Sequence, residues 1–198
     1  MKLIKSLPLE YSTEQNQINI LGFWIFLGAE IMLFGTLFAS YFTLVNRTGH
    51  GPTGADIFEI TPVLIETFVL LASSFVIGLA IHAMRIGRKK AVISFLAITL
   101  ILGLVFVSFE ISEFAHYMHM GAGLQTSAFT AILLTTLGTH GAHVILGFFW
   151  GLFIMLQIRK RGITPEIANK TFIFSLYWHF LDVVWIFIFS FVYLKGLM

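Results

Sequence analysis

The sequence predicts an all-α membrane protein, a five-transmembrane-helix bundle, and three observations carry that expectation. First, 58% of the 198 residues are hydrophobic and only 11% are charged, where a soluble domain carries about 25% charged residues. Phenylalanine alone accounts for 22 positions. A water-soluble globule of this size must cover its outside with polar groups, and too few are present to do so. Second, the apolar residues fall into five runs, each long enough to cross hydrocarbon. Third, the basic residues gather in alternate loops.

Hydrocarbon about 30 Å thick takes about 20 helical residues, each rising about 1.5 Å. The five runs are residues 20–45, 62–84, 91–114, 127–158 and 172–194. Backbone groups in lipid need partners within their own segment or in a closed barrel. The runs do not alternate with period two, so helices are expected rather than strands. Thr61-Pro62 suggests a cap followed by proline at the first helical position of the second span. Thr126 or Ser127 is the candidate cap for the fourth. Residues 46–61 carry Gly49, Gly51, Pro52 and Gly54 and read as an irregular turn. With no internal repeat or low-complexity tract, residues 1–198 read as one membrane domain.

The chain has no cysteine, which excludes disulfides, thiolate metal sites, iron–sulfur clusters and cysteine nucleophiles. The start of the chain lacks the short apolar run and small-residue site of a signal peptide, so the first apolar segment is expected to stay as a span. Of the 12 basic residues, all but Arg47 and Lys195 lie on one side of the alternating spans. They are Lys2 and Lys5, then Arg85, Arg88, Lys89 and Lys90, then Arg159, Lys160, Arg161 and Lys170. The positive-inside rule makes that side cytoplasmic, with the N-terminus inside and the C-terminus outside. Topology accounts for the basic loops without nucleic acid. Contacts to phospholipid headgroups are expected at Arg88, Lys89, Lys90, Arg159, Lys160 and Arg161.

Ionisable residues inside spans are the exceptions, because exposing them to acyl chains is costly. They are Glu30 in the first span, Glu66 in the second, Glu110 and Glu113 in the third, His140 and His143 in the fourth, and His179 and Asp182 in the fifth. The three same-helix pairs are spaced i, i+3, so each projects from one face, which should point into the bundle. Helix rise puts Glu30 and Asp182 about 15 Å deep and His143 roughly 24 Å from the outer end, near the level of His179. A polar layer joining the first, fourth and fifth spans is therefore expected, with Glu66, Glu110 and Glu113 nearer the outer surface.

Four chemistries fit such residues. A di-metal carboxylate site wants Glu-x-x-His on two helices plus two lone glutamates, and the pairs here are Glu-x-x-Glu, His-x-x-His and His-x-x-Asp. A b-type haem could use His140 or His143 with His179, but Gly141 and Ala142 favour close helix contact over a porphyrin. A proton or ion path is a third reading, and a small transporter would show paired repeats and broken helices, which are lacking. The bland reading is a buried packing cluster whose side chains hydrogen-bond across helices. Small-residue pairs suit it: Gly35 with Ala39, Ser74 with Gly78, Gly138 with Ala142 and Gly147 with Gly151. Trp24, Tyr41, Tyr117, Trp150, Tyr177 and Tyr193 read as interfacial belts, and Trp185 as packing.

Five strings resemble subunit III of the haem-copper terminal oxidases, one per span and in family order. They are Gly22-Phe23-Trp24-Ile25-Phe26-Leu27-Gly28-Ala29-Glu30, Glu66-Thr67-Phe68-Val69-Leu70-Leu71-Ala72-Ser73-Ser74 and Phe109-Glu110-Ile111-Ser112-Glu113-Phe114. The last two are Gly138-Thr139-His140-Gly141-Ala142-His143-Val144 and Tyr177-Trp178-His179-Phe180-Leu181-Asp182-Val183-Val184-Trp185-Ile186. The cytochrome c oxidase form usually has seven helices and the quinol oxidase form five, so the chain resembles the quinol type. The lipid cleft built by the two extra helices, and the membrane carboxylate of the mitochondrial form, are not carried over to any residue here.

The resemblance implies a non-catalytic subunit of a complex that oxidises quinol, reduces oxygen to water and pumps protons. Haem and copper are then expected in partner subunit I, with no cofactor, metal ligand or catalytic residue on this chain. The implied partners are subunits I and II, a small subunit IV and phospholipids, in the cytoplasmic membrane of a prokaryote. Packing on subunit I, lipid binding and support of proton uptake are the implied roles.

Overall fold

The computed structural model describes residues 7–196; Lys2 and Lys5, which contribute to the expected orientation, lie outside the described residues. A 3-10 turn at Leu9–Tyr11 leads into α1 (Glu14–Leu44), followed by the short α2 (Gly54–Ile57). The remaining long helices are α3 (Ile60–Arg85), α4 (Lys89–His119), α5 (Ala128–Arg161) and α6 (Pro165–Ile188), the last running on as a π-helical turn, Phe189–Leu194. Among the described residues five helices, all but α2, are long and apolar enough to cross a membrane.

The helices outrun the apolar runs because a helix does not stop where hydrocarbon does, and polar residues continue it. α1 begins at Glu14, where the Thr13 side chain accepts from the Asn16 N–H at 3.1 Å. Ser127 caps α5, accepting from the Thr130 N–H at 3.1 Å. The Thr-Pro boundary expected at Thr61-Pro62 lies elsewhere. Helix α3 starts at Ile60 after Glu59, and Pro62 sits inside its first turn, where an N–H has no intrahelical partner to lose. The true Thr-Pro start is Thr164-Pro165: Thr164 accepts from the Ile167 N–H at 3.3 Å, and α6 begins seven residues before its apolar run.

α6 is the central element. More than half of its most apolar window is buried (56%), against 17% for α1. It packs on α5, α3 and α1, while α3 and α4 form the most extensive pair. α1 lies at the edge, against α5 and α6. Two tryptophans of α6 fill the middle. Trp178 runs against Gly103 of α4, where a methyl group would come within 2.8 Å of the ring. Trp185 meets Phe106 edge-on at 4.7 Å between centroids.

The small-residue pairs divide sharply. Gly147 and Gly151 admit the rings of Tyr177, Trp178 and Phe174, so this pair is a packing seam between α5 and α6. Gly138 touches Phe114. By contrast, Gly35 and Gly78 have open space where a side chain would stand, so neither forms a close contact within the chain. The tyrosine belt is likewise corrected. Tyr41, Tyr117, Tyr177 and Tyr193 are buried, because each hydroxyl finds an acceptor inside. Trp150 packs half-buried against Phe23, Phe174 and Tyr177, and Trp24 is exposed.

Candidate functional site: a polar seam inside the bundle

Helix α3 presents three hydroxyls to α6, and α6 answers each. Trp178 Nε1 donates to Ser73 Oγ at 2.9 Å and Trp185 Nε1 to Thr67 Oγ1 at 3.0 Å. His179 Nδ1 lies 2.6 Å from Ser74 Oγ. Thr67 meets Trp185 whereas Ser73 and Ser74 meet Trp178 and His179, so the contacts run in opposite directions along α3 and α6, as antiparallel neighbours require. Two of the family-like strings therefore zip together side by side.

The first-fourth-fifth layer expected from depth is only partly the arrangement present. Glu30 Oε2 of α1 lies 3.2 Å from His143 Nε2 of α5, and His143 Nδ1 is 2.6 Å from the Thr139 carbonyl. Tyr177 of α6 donates to the His143 carbonyl at 2.9 Å. His179 instead turns to α3, and the carboxyl of Asp182, buried beside it, has no hydrogen-bond partner. The physical reason is angular. Residues i and i+3 differ by about 60° around a helix, enough for two side chains on one face to address different neighbours.

His140 and His143 divide in the same way. His140 is fully buried, tilted against Trp185 (5.5 Å between centroids) and edge-on to Phe106 (5.7 Å), with neither ring nitrogen hydrogen-bonded. Phe106 and Trp185 thus pack against the His140 ring. Among the described residues no group of three or more His, Asp or Glu side chains is arranged to hold a metal ion.

Glu66 of α3 and Glu110 and Glu113 of α4 are buried near the end of the bundle that carries Arg47 and Lys195, with Glu110 against α5 and Glu113 against the end of α6. Glu66 is within electrostatic reach of both others. Glu113 accepts from Tyr193 at 2.6 Å and from Tyr117 at 3.4 Å. Glu110 lies in the notch left by Gly141, where a methyl group would stand 2.7 Å from its Cδ. Sequence reasoning missed Tyr117 and Tyr193 as members of this cluster; their i, i+4 relation to Glu113 in one case was the available signal.

The basic loops share the other end. Arg85 grips the buried carboxylate of Glu10 at 2.7 Å, and Lys89 donates to the Arg159 carbonyl at 3.0 Å. Asn169 ties this end together, donating to the carbonyls of Glu10 and Asn16 at 3.0 Å each. Sequence reading did not single out Glu10 or Asn169, both of which lie outside the apolar runs. Arg88, Lys90, Lys160 and Arg161 are among the exposed residues.

Five membrane-length apolar helices among the described residues, with buried glutamates, His140 and Asp182 inside and large apolar side chains exposed outside, define a helical bundle of the membrane-spanning kind. Residues 11–197 match the family described as cytochrome c oxidase subunit III. The chain belongs to that family. It is 57% identical over 190 residues to "Quinol oxidase subunit 3" of Bacillus subtilis, covering 96% of this chain and 93% of that one. It is 49% identical to "Probable quinol oxidase subunit 3" of Staphylococcus epidermidis, covering 96% and 94%, and 47% identical to the Staphylococcus aureus protein of the same name over the same shares.

Proposed function

We propose that this chain is the third subunit of a proton-pumping haem-copper quinol oxidase. The observation that carries the reading is near-full-length similarity to proteins named quinol oxidase subunit 3, spanning more than nine-tenths of each chain. In this reading the chain is non-catalytic. Haem and copper reside in subunit I, quinol is the substrate of the complex, and subunits I, II and a small subunit IV are its partners. It sits in the cytoplasmic membrane of a prokaryote with the Arg85–Lys90 and Arg159–Lys170 end inside, as their charge favours. Exposed Arg88, Lys89, Lys90, Arg159, Lys160 and Arg161 then meet phospholipid headgroups.

The buried polar residues serve as helix-fixing contacts in this proposal. Support comes from Ser73, Ser74 and Thr67 meeting Trp178, His179 and Trp185, and from Glu30 meeting His143. Packing on subunit I and support of proton uptake follow from the same reading. Affinity purification of the tagged chain from native membranes tests it. The expected result is a larger haem-bearing complex that consumes oxygen with quinol, and a separated chain without haem absorbance. A tagged chain recovered alone, or one carrying its own Soret band, contradicts it.

A further inference from the structure

Glu66, Glu110 and Glu113 lie inside the bundle with relative exposures of 0%, 5% and 7%. Neither carboxyl oxygen of Glu66 has a hydrogen-bond partner, and one oxygen of Glu110 has none. Among the described residues no Lys or Arg is paired with any of the three; every recorded ion pair of those residues lies elsewhere. Three carboxylates gathered without a cation in a water-poor interior repel one another and each forgoes hydration. The arrangement is sustainable only if protons are shared within it.

A cleft opens beside the cluster. A cleft of about 230 Å³ between the start of α3 and the end of α4 is lined by Glu113 and Tyr117 on its inner wall. Exposed Glu59 and half-buried His116 also line it and stand 3.9 Å apart. The groups facing the cluster are few. Glu66 comes from α3; Glu110, Glu113, Tyr117 and His116 come from α4. Tyr193 comes from the π-helical end of α6, and Glu59 from the segment before α3. Helix α5 contributes the notch at Gly141, and α1 places Tyr41 on the carbonyl of Val192, next to Tyr193. Glu113 bridges the two environments, since its carboxylate takes the Tyr193 hydroxyl while its side chain lines the cleft.

We propose that Glu66, Glu110 and Glu113 form a proton-binding site that exchanges with the aqueous phase on the Arg47 and Lys195 side through the cleft between Glu59 and His116. Glu113 is the exchange point, Glu66 and Glu110 are the interior acceptors, and the proton is the ligand. Glu66, with neither oxygen bonded, and Glu110, with one free, offer acceptors that a proton satisfies, and among the described residues no group of three or more His, Asp or Glu is arranged to hold a metal ion.

Infrared difference spectra of the intact complex between low and high pH, in H2O and D2O, test this. The isosteric variants are Glu66→Gln, Glu110→Gln and Glu113→Gln. The wild type should show a protonated-carboxyl C=O band that shifts in D2O. Glu66→Gln or Glu110→Gln should remove it, and Glu113→Gln or a cleft-filling Ser112→Trp should slow its exchange. A band unaffected by all three glutamine variants, or no such band, overturns the proposal. If the variants do not assemble, esterification of wild-type complex by a diazo compound, which reacts with protonated carboxyls, decides the matter after peptide mapping. Ester on Glu66 or Glu110 that declines as pH rises supports the site; its absence from all three residues overturns it. These readouts follow this chain's own carboxyls, so they stand or fall apart from the oxidase reading.

Discussion

Trp178 and Trp185 bury their rings and spend their single N–H on Ser73 and Thr67. Removing either hydroxyl leaves a buried donor unpaired. Ser73→Ala and Thr67→Val should each destabilise the chain by about 0.5–2 kcal/mol, the range of interhelical hydrogen bonds in membrane bundles. The two should roughly add if the sites act independently, and unfolding of the purified complex in detergent measures this. A second prediction belongs to Asp56. Its carboxylate accepts from the Thr53 hydroxyl at 2.6 Å and from the Thr53 N–H at 2.8 Å, and these bonds hold it below the ordinary carboxylate range. A depressed carboxyl contributes order above its unfolded value and loses it as pH falls through the lowered one. Hydrogen-exchange protection of residues 54–57 should therefore fall on acidification, and Asp56→Asn should remove that dependence. At this scale the sequence was half legible. Ser127 was readable as a cap, whereas Thr164-Pro165 went unread because polar Asn169 and Lys170 separate it from the apolar run.

Individual helices show where composition stops informing. Length and hydropathy marked all five long helices, because lipid tolerates little else. Which face turns inward was less legible: the moments of such helices are weak when both sides are apolar. Gly35 and Gly151 look alike in sequence, yet one faces open space and the other takes Phe174 at 2.7 Å and Leu100 at 2.8 Å from a built methyl group. Gly151→Ala should cost about 1–3 kcal/mol by overpacking the α5–α6 seam. Gly35→Ala, with open space for the methyl group inside a helix, should leave the unfolding midpoint the same or higher. Tyrosines misled for a related reason. Their amphipathic rings suit an interface, but a hydroxyl near a buried acceptor suits the interior equally, and only the fold supplies the acceptor. Gly141, by contrast, gained its meaning solely from Glu110 across the helix gap.

Across the whole molecule, polarity is distributed by depth and by end. Basic side chains, Glu10 and the asparagines Asn16 and Asn169 gather at one end. The central seam joins α3 to α6 and α1 to α5, and the three-glutamate cluster lies toward the other end. The family-like strings were legible because they carry these seams; their partners were not, since spacing within one helix cannot say which neighbour each member meets. The central claim is that polar side chains within the bundle hold a non-catalytic subunit in shape. His143 is its most direct test, because His143→Leu removes the imidazole that stands 3.2 Å from Glu30 Oε2, the polar contact between α1 and α5. Blue-native gels and quinol-driven oxygen uptake on the same membranes should show less assembled complex, with turnover per assembled haem unchanged. Full assembly with abolished turnover would contradict the account.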